Sequence, residues 1–226
     1  MFDFSIENII GYLYAIPGVL FALSIHEFSH GFVAYKLGDP TARNMGRLTL
    51  NPIKHIDIFG LIAMFLVKVG WAKPVPINPR NFKKPRRDIA LTSLAGPLSN
   101  LISALVGMIV FYIFVYVVYV VNVKLPEELI RGLYFIIQNF IFLNIGLAIF
   151  NLIPIPPLDG SKILDSFLPP KALIVYHKYE DIIRLVLLAV LIFDVVSIAP
   201  AIDFVYRILA VPVDYIFGNL FNLLIQ

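Results

Sequence analysis

IIGYLYAIPGVLFALSIHEFSHGFVAY, residues 9–35, is an apolar run with one formally charged side chain, Glu27. A helix needs about 20 mostly apolar residues to cross a bilayer, and this stretch exceeds that. Its last third reads HEFSH. His26 and His30 are four apart, a rotation of about 400°, so a helix sets both imidazoles on one face, roughly 6 Å apart along the axis, where they can converge on one cation. Glu27 falls on the adjoining face, within reach of a water beside that cation without being a ligand itself. This is the HExxH arrangement of two metal-binding histidines and a glutamate general base. Ionisable residues inside a span are costly and are functional candidates for that reason. Histidines hydrogen-bonded between helices are the structural alternative.

Further apolar runs follow. Ile89 to Val123 is uncharged for 35 residues, about 52 Å as a helix against a core of roughly 30 Å, so part must lie outside or bend, with Gly96-Pro97 the natural place. Gly132–Asn151, Ile182–Ala199 and Phe204–Ile225 read as further spans, the last weakened by Pro212, Asp214, Asn219 and Asn222. Ile58–Val67 is too short to cross, and the proline-spaced GWAKPVPINP after it, residues 70–79, favours extended backbone. The expectation is an all-α integral membrane protein of about five transmembrane helices, plus a short re-entrant or membrane-associated β-hairpin region. One membrane-embedded domain would take up residues 1–226, with a motif-bearing core over about 9–160 and candidate gate helices over about 180–225.

Composition agrees: 59% of residues are hydrophobic and 15% charged, where soluble domains carry roughly 25% charged. The absence of cysteine excludes disulfides, thiolate metal sites and cysteine nucleophiles, so any metal must be held by N and O ligands. The N-terminal MFDFSIENII lacks the positive region of a cleaved signal, so the first span is expected to persist. Eleven Lys/Arg lie from Lys36 to Arg87. So dense a run can suggest nucleic acid, but it sits between apolar spans without interleaved aromatics, and reads as a cytoplasmic loop under the positive-inside rule. No nucleic-acid partner is expected. The same count places the N-terminus outside and brings HEFSH and the segment near Asp159 to one cytoplasmic depth.

A catalytic zinc takes three protein ligands and an open position, so HEFSH is one ligand short. Asp159 is the best third, since it follows IPIPP, which denies it a regular helix, and precedes Gly160, which permits a sharp turn. A helix-capping Asp is the other reading, and at this level both stand.

HEFSH, AGPLSN at Ala95–Asn100 and NLIPIPPLDG at Asn151–Gly160 together resemble the site-2 protease family of intramembrane metalloproteases, as do RLTLNPIKHIDIFG and GWAKPVPINP. The resemblance covers almost the whole chain. It implies one Zn²⁺ per chain on His26, His30 and Asp159, with Glu27 as catalytic base. It also implies that Asn151 helps to bind substrate or the oxyanion, and that Asn100 faces the site; polar glue between helices explains Asn100 equally well. The implied partners are a lipid bilayer and a helical or single-pass membrane protein that is cut within the bilayer, with a regulatory membrane partner or homo-oligomer left open. The sequence departs from larger relatives in having its motif helix first and no stretch resembling a PDZ or CBS module.

His55 reads as a loop or capping residue and His177, within HKYED, as part of a solvated face. Asp194 and Asp214 fall either at span ends or in a wet cleft. A divalent-cation transporter or channel would explain Asp159 and the prolines but leaves Glu27 without a task. A histidine-box di-iron enzyme needs more than the four histidines present.

Overall fold

A computed structural model describes residues 6–67, 70–121, 123–193 and 196–225, and it is built from helices, with no β-strand among the described residues. The order is α1 (Ile6–Lys36), α2 (Thr41–Asn44), α3 (Ile58–Val67), α4 (Pro85–Val115), α5 (Glu127–Leu152), α6 (Asp159–Phe167), α7 (Pro170–Lys178), α8 (Glu180–Ile192) and α9 (Ala199–Ile225). Two stretches, Pro85–Val118 with mean hydropathy 2.6 and Glu127–Leu152 with 1.9, are long and apolar enough to cross a membrane. On α4, Leu91, Leu94, Leu98, Ile102, Val106 and Ile109 are exposed at helical spacing, while Thr92, Ser93, Asn100 and Ser103 are buried. That is the reverse of the usual preference for apolar residues inside, and it suits a helix whose outer solvent is lipid.

The structure qualifies three expectations. First, α4 continues as helix through Gly96 and the buried Pro97, with no break in it. Proline withholds a single N–H, the one that would serve the Ser93 carbonyl, and the helix tolerates the loss. The irregularity comes later, as a π-helical turn over Tyr116–Val120.

Second, the β-hairpin anticipated around Ile58–Val67 is instead the helix α3, closed at its base by one antiparallel bridge between Ile56 and Ala72. Pro74 and Pro76 cannot donate to a ladder, whereas the apolar run satisfies its own backbone as a helix. Asp57 accepts from the Gly60 N–H at 2.8 Å, and the Lys73 N–H donates to the His55 carbonyl at 2.8 Å. Gly60 lies so close to the Trp71 backbone that a Cβ there would collide.

Third, the span expected over Ile182–Ala199 is helical as α8 only to Ile192. Thirteen residues make about 20 Å, short of a roughly 30 Å core. Asp194 lies outside the described residues, and Asp214 is exposed on α9.

The contacts group into two compact units, Met1–Ala22 with Asn100–Gly146 and Ala199–Gln226, and Leu23–Ser99 with Leu147–Ile198. In the first, the fully buried Asn100 donates to the Ala22 carbonyl at 3.0 Å and to Asn144 Oδ1 at 2.9 Å. It ties α1, α4 and α5 together amid Ala104, Met108, Ile141 and Ile145, the polar-glue role weighed for it above.

In the second unit α1 ends on Gly38 at φ 110°. The Asp39 N–H donates to the Ala34 carbonyl at 2.9 Å and the Gly38 N–H to that of Tyr35 at 3.1 Å, the paired bonds of a Schellman cap. This turn delivers Asp39, completely buried, into the path of the 74–81 segment. Its carboxylate accepts from the Asn78 N–H at 2.7 Å, from Asn81 Nδ2 at 2.7 Å, and from the N–H and hydroxyl of Thr41. Burial pushes the Asp39 carboxyl up, but these donors outweigh it and hold it below the usual carboxylate range. A depressed folded-state value means that the stabilisation is complete above the unfolded value of about 3.9 and is lost as pH falls through the folded one. The anchor therefore holds at neutral and mildly acidic pH.

Alanine at position 38 must adopt a backbone conformation that costs an L-residue about 1–2 kcal/mol. Gly38→Ala is expected to lower the thermal midpoint in detergent; an unchanged midpoint would contradict the capping role.

Candidate metal centre

The histidines, Asp159, Glu27 and the groups that hold them belong to the second unit. On α1 the one-turn spacing places His26 Nε2 and His30 Nε2 3.0 Å apart. Asp159 opens α6, where Leu158 occupies the N-cap position and no side chain caps the helix. The Asp159 carboxylate turns inward instead, with Oδ2 at 3.1 Å from each histidine Nε2. All three residues are buried and form one potential metal-binding group. Gly160 allows this through close approach: a Cβ there would strike the carbonyls of Leu152 and Ile153. Its φ is not positive, so the sharp turn expected of it is not what the position requires.

The chemistry of this donor set can be tested from its hydrogen bonds. His30 Nδ1–H donates to the Thr92 carbonyl at 2.7 Å. With that proton placed, Nε2 of neutral His30 carries a lone pair, as does the carboxylate oxygen facing it. Lone pairs 3.1 Å apart repel unless a cation lies among them. Tetrahedral zinc with bonds of roughly 2.0–2.2 Å sets its ligand atoms about 3.3 Å apart, close to the 3.0–3.1 Å triangle found. Two imidazoles and one carboxylate also make a catalytic rather than a closed structural set. The residues fit zinc.

Glu27 is buried and its Oε2 accepts the Val75 N–H at 2.7 Å, so one oxygen is held while the other carries no such bond. Val75 in turn is positioned by the 74–81 segment that Asp39 anchors. Two contributors escape a reading of the sequence. No motif in the sequence marks Asp39. Gly96, read as a hinge, is needed for space: a Cβ there would lie 2.5 Å from His30 Nε2 and 2.7 Å from His26 Cε1.

The remaining candidates fall elsewhere. Asn151 Nδ2 donates to the Leu147 carbonyl one turn back on its own helix, at 3.0 Å. Asn100 belongs to the first unit, where its amide serves Ala22 and Asn144. His55 is buried with Nε2 on the Thr49 carbonyl at 2.7 Å, a loop role. His177 sits on an exposed face between Asp165 and Glu180.

A buried donor set of two nitrogens and one oxygen, with a glutamate tethered alongside, is the donor set that catalytic zinc sites of hydrolases use. Comparison with known proteins makes this specific. The model of Peptidase family M50 matches residues 116–193. The chain is 44% identical over 157 residues to "Putative zinc metalloprotease YwhC" of Bacillus subtilis (strain 168), covering 70% of each chain. It is 30% identical over 167 residues to "Putative zinc metalloprotease Rip2" of Mycolicibacterium smegmatis, covering 71% of this chain and 59% of the relative. A Rip2 of Mycobacterium tuberculosis (strain Erdman) is 31% identical over 186 residues. No solved structure matches. The chain belongs to the site-2 protease family of zinc metalloproteases, peptidase family M50. Members of that family are membrane proteins, in keeping with the two spanning-length helices.

Filling the space that Gly96 leaves is expected to weaken zinc binding roughly tenfold or more, the scale of losses when the surroundings of metal-ligating histidines are disturbed. Gly96→Ala should therefore lose zinc to a chelator at lower concentration than the native protein, with helical content retained. Equal retention would show that the histidines do not need that space.

Proposed function

We propose that this chain is an intramembrane zinc endopeptidase that hydrolyses a peptide bond within or near a transmembrane segment of another protein, in the manner of regulated intramembrane proteolysis. The observation that carries the reading is the triangle of His26, His30 and Asp159 donor atoms with Glu27 fixed beside it by the Val75 N–H. Zinc held by these three side chains would polarise a carbonyl and acidify water. Glu27, through the oxygen that Val75 does not hold, takes the proton from the attacking water and returns it to the leaving amine. The Thr92 carbonyl keeps His30 in the tautomer that presents Nε2 inward.

Location supports cleavage in or near lipid. Both histidines lie on a long apolar helix, and loop charge assigns the N-terminus to the outside and the centre to the cytoplasmic side. A helical substrate hides its carbonyls in its own hydrogen bonds, so it must unwind locally before it is cut. Clamping of the unwound strand by the proline-rich 74–79 segment is restricted by what that segment already does. The N–H groups of Val75 and Asn78 are committed to Glu27 and Asp39, and proline fills three of the other four positions. Ile77 keeps the one remaining N–H, while the Asn78 and Pro79 carbonyls already accept from the Asn81 and Phe82 N–H groups. Asn151 is the amide assigned by family resemblance to substrate or oxyanion binding, which its second Nδ2–H can serve while the first stays on the Leu147 carbonyl.

Glu27→Gln separates this reading from cation transport. The variant is expected to bind zinc at native stoichiometry and to lose at least about 100-fold in cleavage of transmembrane peptides, the lower range for removal of a general base. Undiminished turnover would remove Glu27 from the mechanism.

A further inference from the structure

A cavity of about 510 Å³ within the second unit has Val75, Arg86, Thr92, Ser93, Lys162 and Asp165 among its walls. Three of these touch the metal centre. Val75 donates to Glu27, the Thr92 carbonyl accepts from His30, and Lys162 Nζ lies 3.5 Å from Asp159 Oδ1. The cavity is therefore one residue removed from the general base and from two of the three metal ligands.

Its polar lining is incomplete. Thr92 Oγ1, on a residue only 1% exposed, has no hydrogen-bond partner, and neither has Asp165 Oδ1. An unsatisfied buried polar group costs about 1–3 kcal/mol, so these two wall residues hold hydrogen-bonding capacity that the fold leaves unused and that a ligand can recruit by rotation of the side chain. The charges say which kind. Arg86 is exposed and has no ion-pair partner among the described residues. Lys162 meets only Asp159, whose other oxygen is directed at the histidines. The single acidic wall residue, Asp165, faces His177 Nε2 at 3.4 Å. The cavity thus has two cationic side chains against one carboxylate that already has a partner.

We propose that this cavity is a specificity subsite for an acidic residue of the peptide substrate. Its carboxylate lies against Arg86 and Lys162. The proposal rests on the proteolytic reading above and adds to it a preference: the sequence flanking the scissile bond carries Asp or Glu at one defined position.

The test is a series of transmembrane peptides with Glu, Gln or Lys placed in turn at each position around the cleavage point. These are cut by the zinc-loaded native protein and by Arg86→Glu, and their binding to Glu27→Gln is followed by fluorescence anisotropy. At one position the native protein should prefer Glu over Lys by roughly tenfold in kcat/KM, the sum of two modest ion pairs. Arg86→Glu should reverse that order, and binding to Glu27→Gln should rank the peptides as cleavage does. Cleavage that ignores charge at every position overturns the subsite and leaves proteolysis standing. If the native protein with zinc cuts no peptide in the series, the proteolytic reading fails and the subsite with it.

Discussion

Three potential ligand atoms, His26 Nε2, His30 Nε2 and Asp159 Oδ2, are held 3.0–3.1 Å from one another in a buried site. With the His30 Nδ1 proton on the Thr92 carbonyl, a cation among them serves all three, and the groups around them hold that geometry. The Thr92 carbonyl fixes one ring. Gly96 and Gly160 leave out side chains that would push the rings or the carboxylate away. The Schellman cap at Gly38 turns Asp39 inward to anchor the 74–81 segment, which in turn holds Glu27 through Val75. Loss of any one of these supports acts on the centre through its neighbours, because the ligands come from separate parts of the chain, 129 residues apart in the case of His30 and Asp159.

The sequence was most informative where a rule depends on spacing. A four-residue step between histidines on a helix gives convergence almost without regard to context, so His26, Glu27 and His30 could be named as candidates from residues 9–35 alone. Asp159 could be named from the sequence but not decided upon: a proline-rich turn followed by Gly suits a capping carboxylate as well as a ligand. Only packing, with the helix N-cap taken by Leu158 and the side chain turned toward the rings, separates the two. Gly96 and Asp39 were illegible for a related reason. Nothing in AGPLSN indicates that the space beside its glycine is filled by imidazoles, and nothing in LGDPT indicates that a loop 39 residues away supplies donors to the aspartate.

The errors in the fold are equally physical. Gly96-Pro97 suggested a bend because proline usually kinks helices; the helix itself continues through it, since one missing donor is tolerable when the rest of α4 is intact. The short apolar segment Ile58–Val67 became a helix because proline after it leaves a hairpin without a partner strand. Exposed apolar residues along α4 beside buried Thr92, Ser93 and Asn100 explain why hydropathy found this span so readily: lipid outside and polar side chains inside give an uninterrupted run of apolar character with few charges. The same burial makes the metal centre effective, since charges in a low-dielectric interior interact far more strongly than in water.

The account is tested most directly by X-ray absorption at the zinc edge on the purified protein. It predicts one zinc per chain in a shell of light N/O atoms at about 2.0–2.2 Å, including two imidazole rings, with Asp159→Ala losing an oxygen donor while both rings remain. A shell with fewer than two imidazoles, or one that Asp159→Ala leaves unaltered, would contradict it.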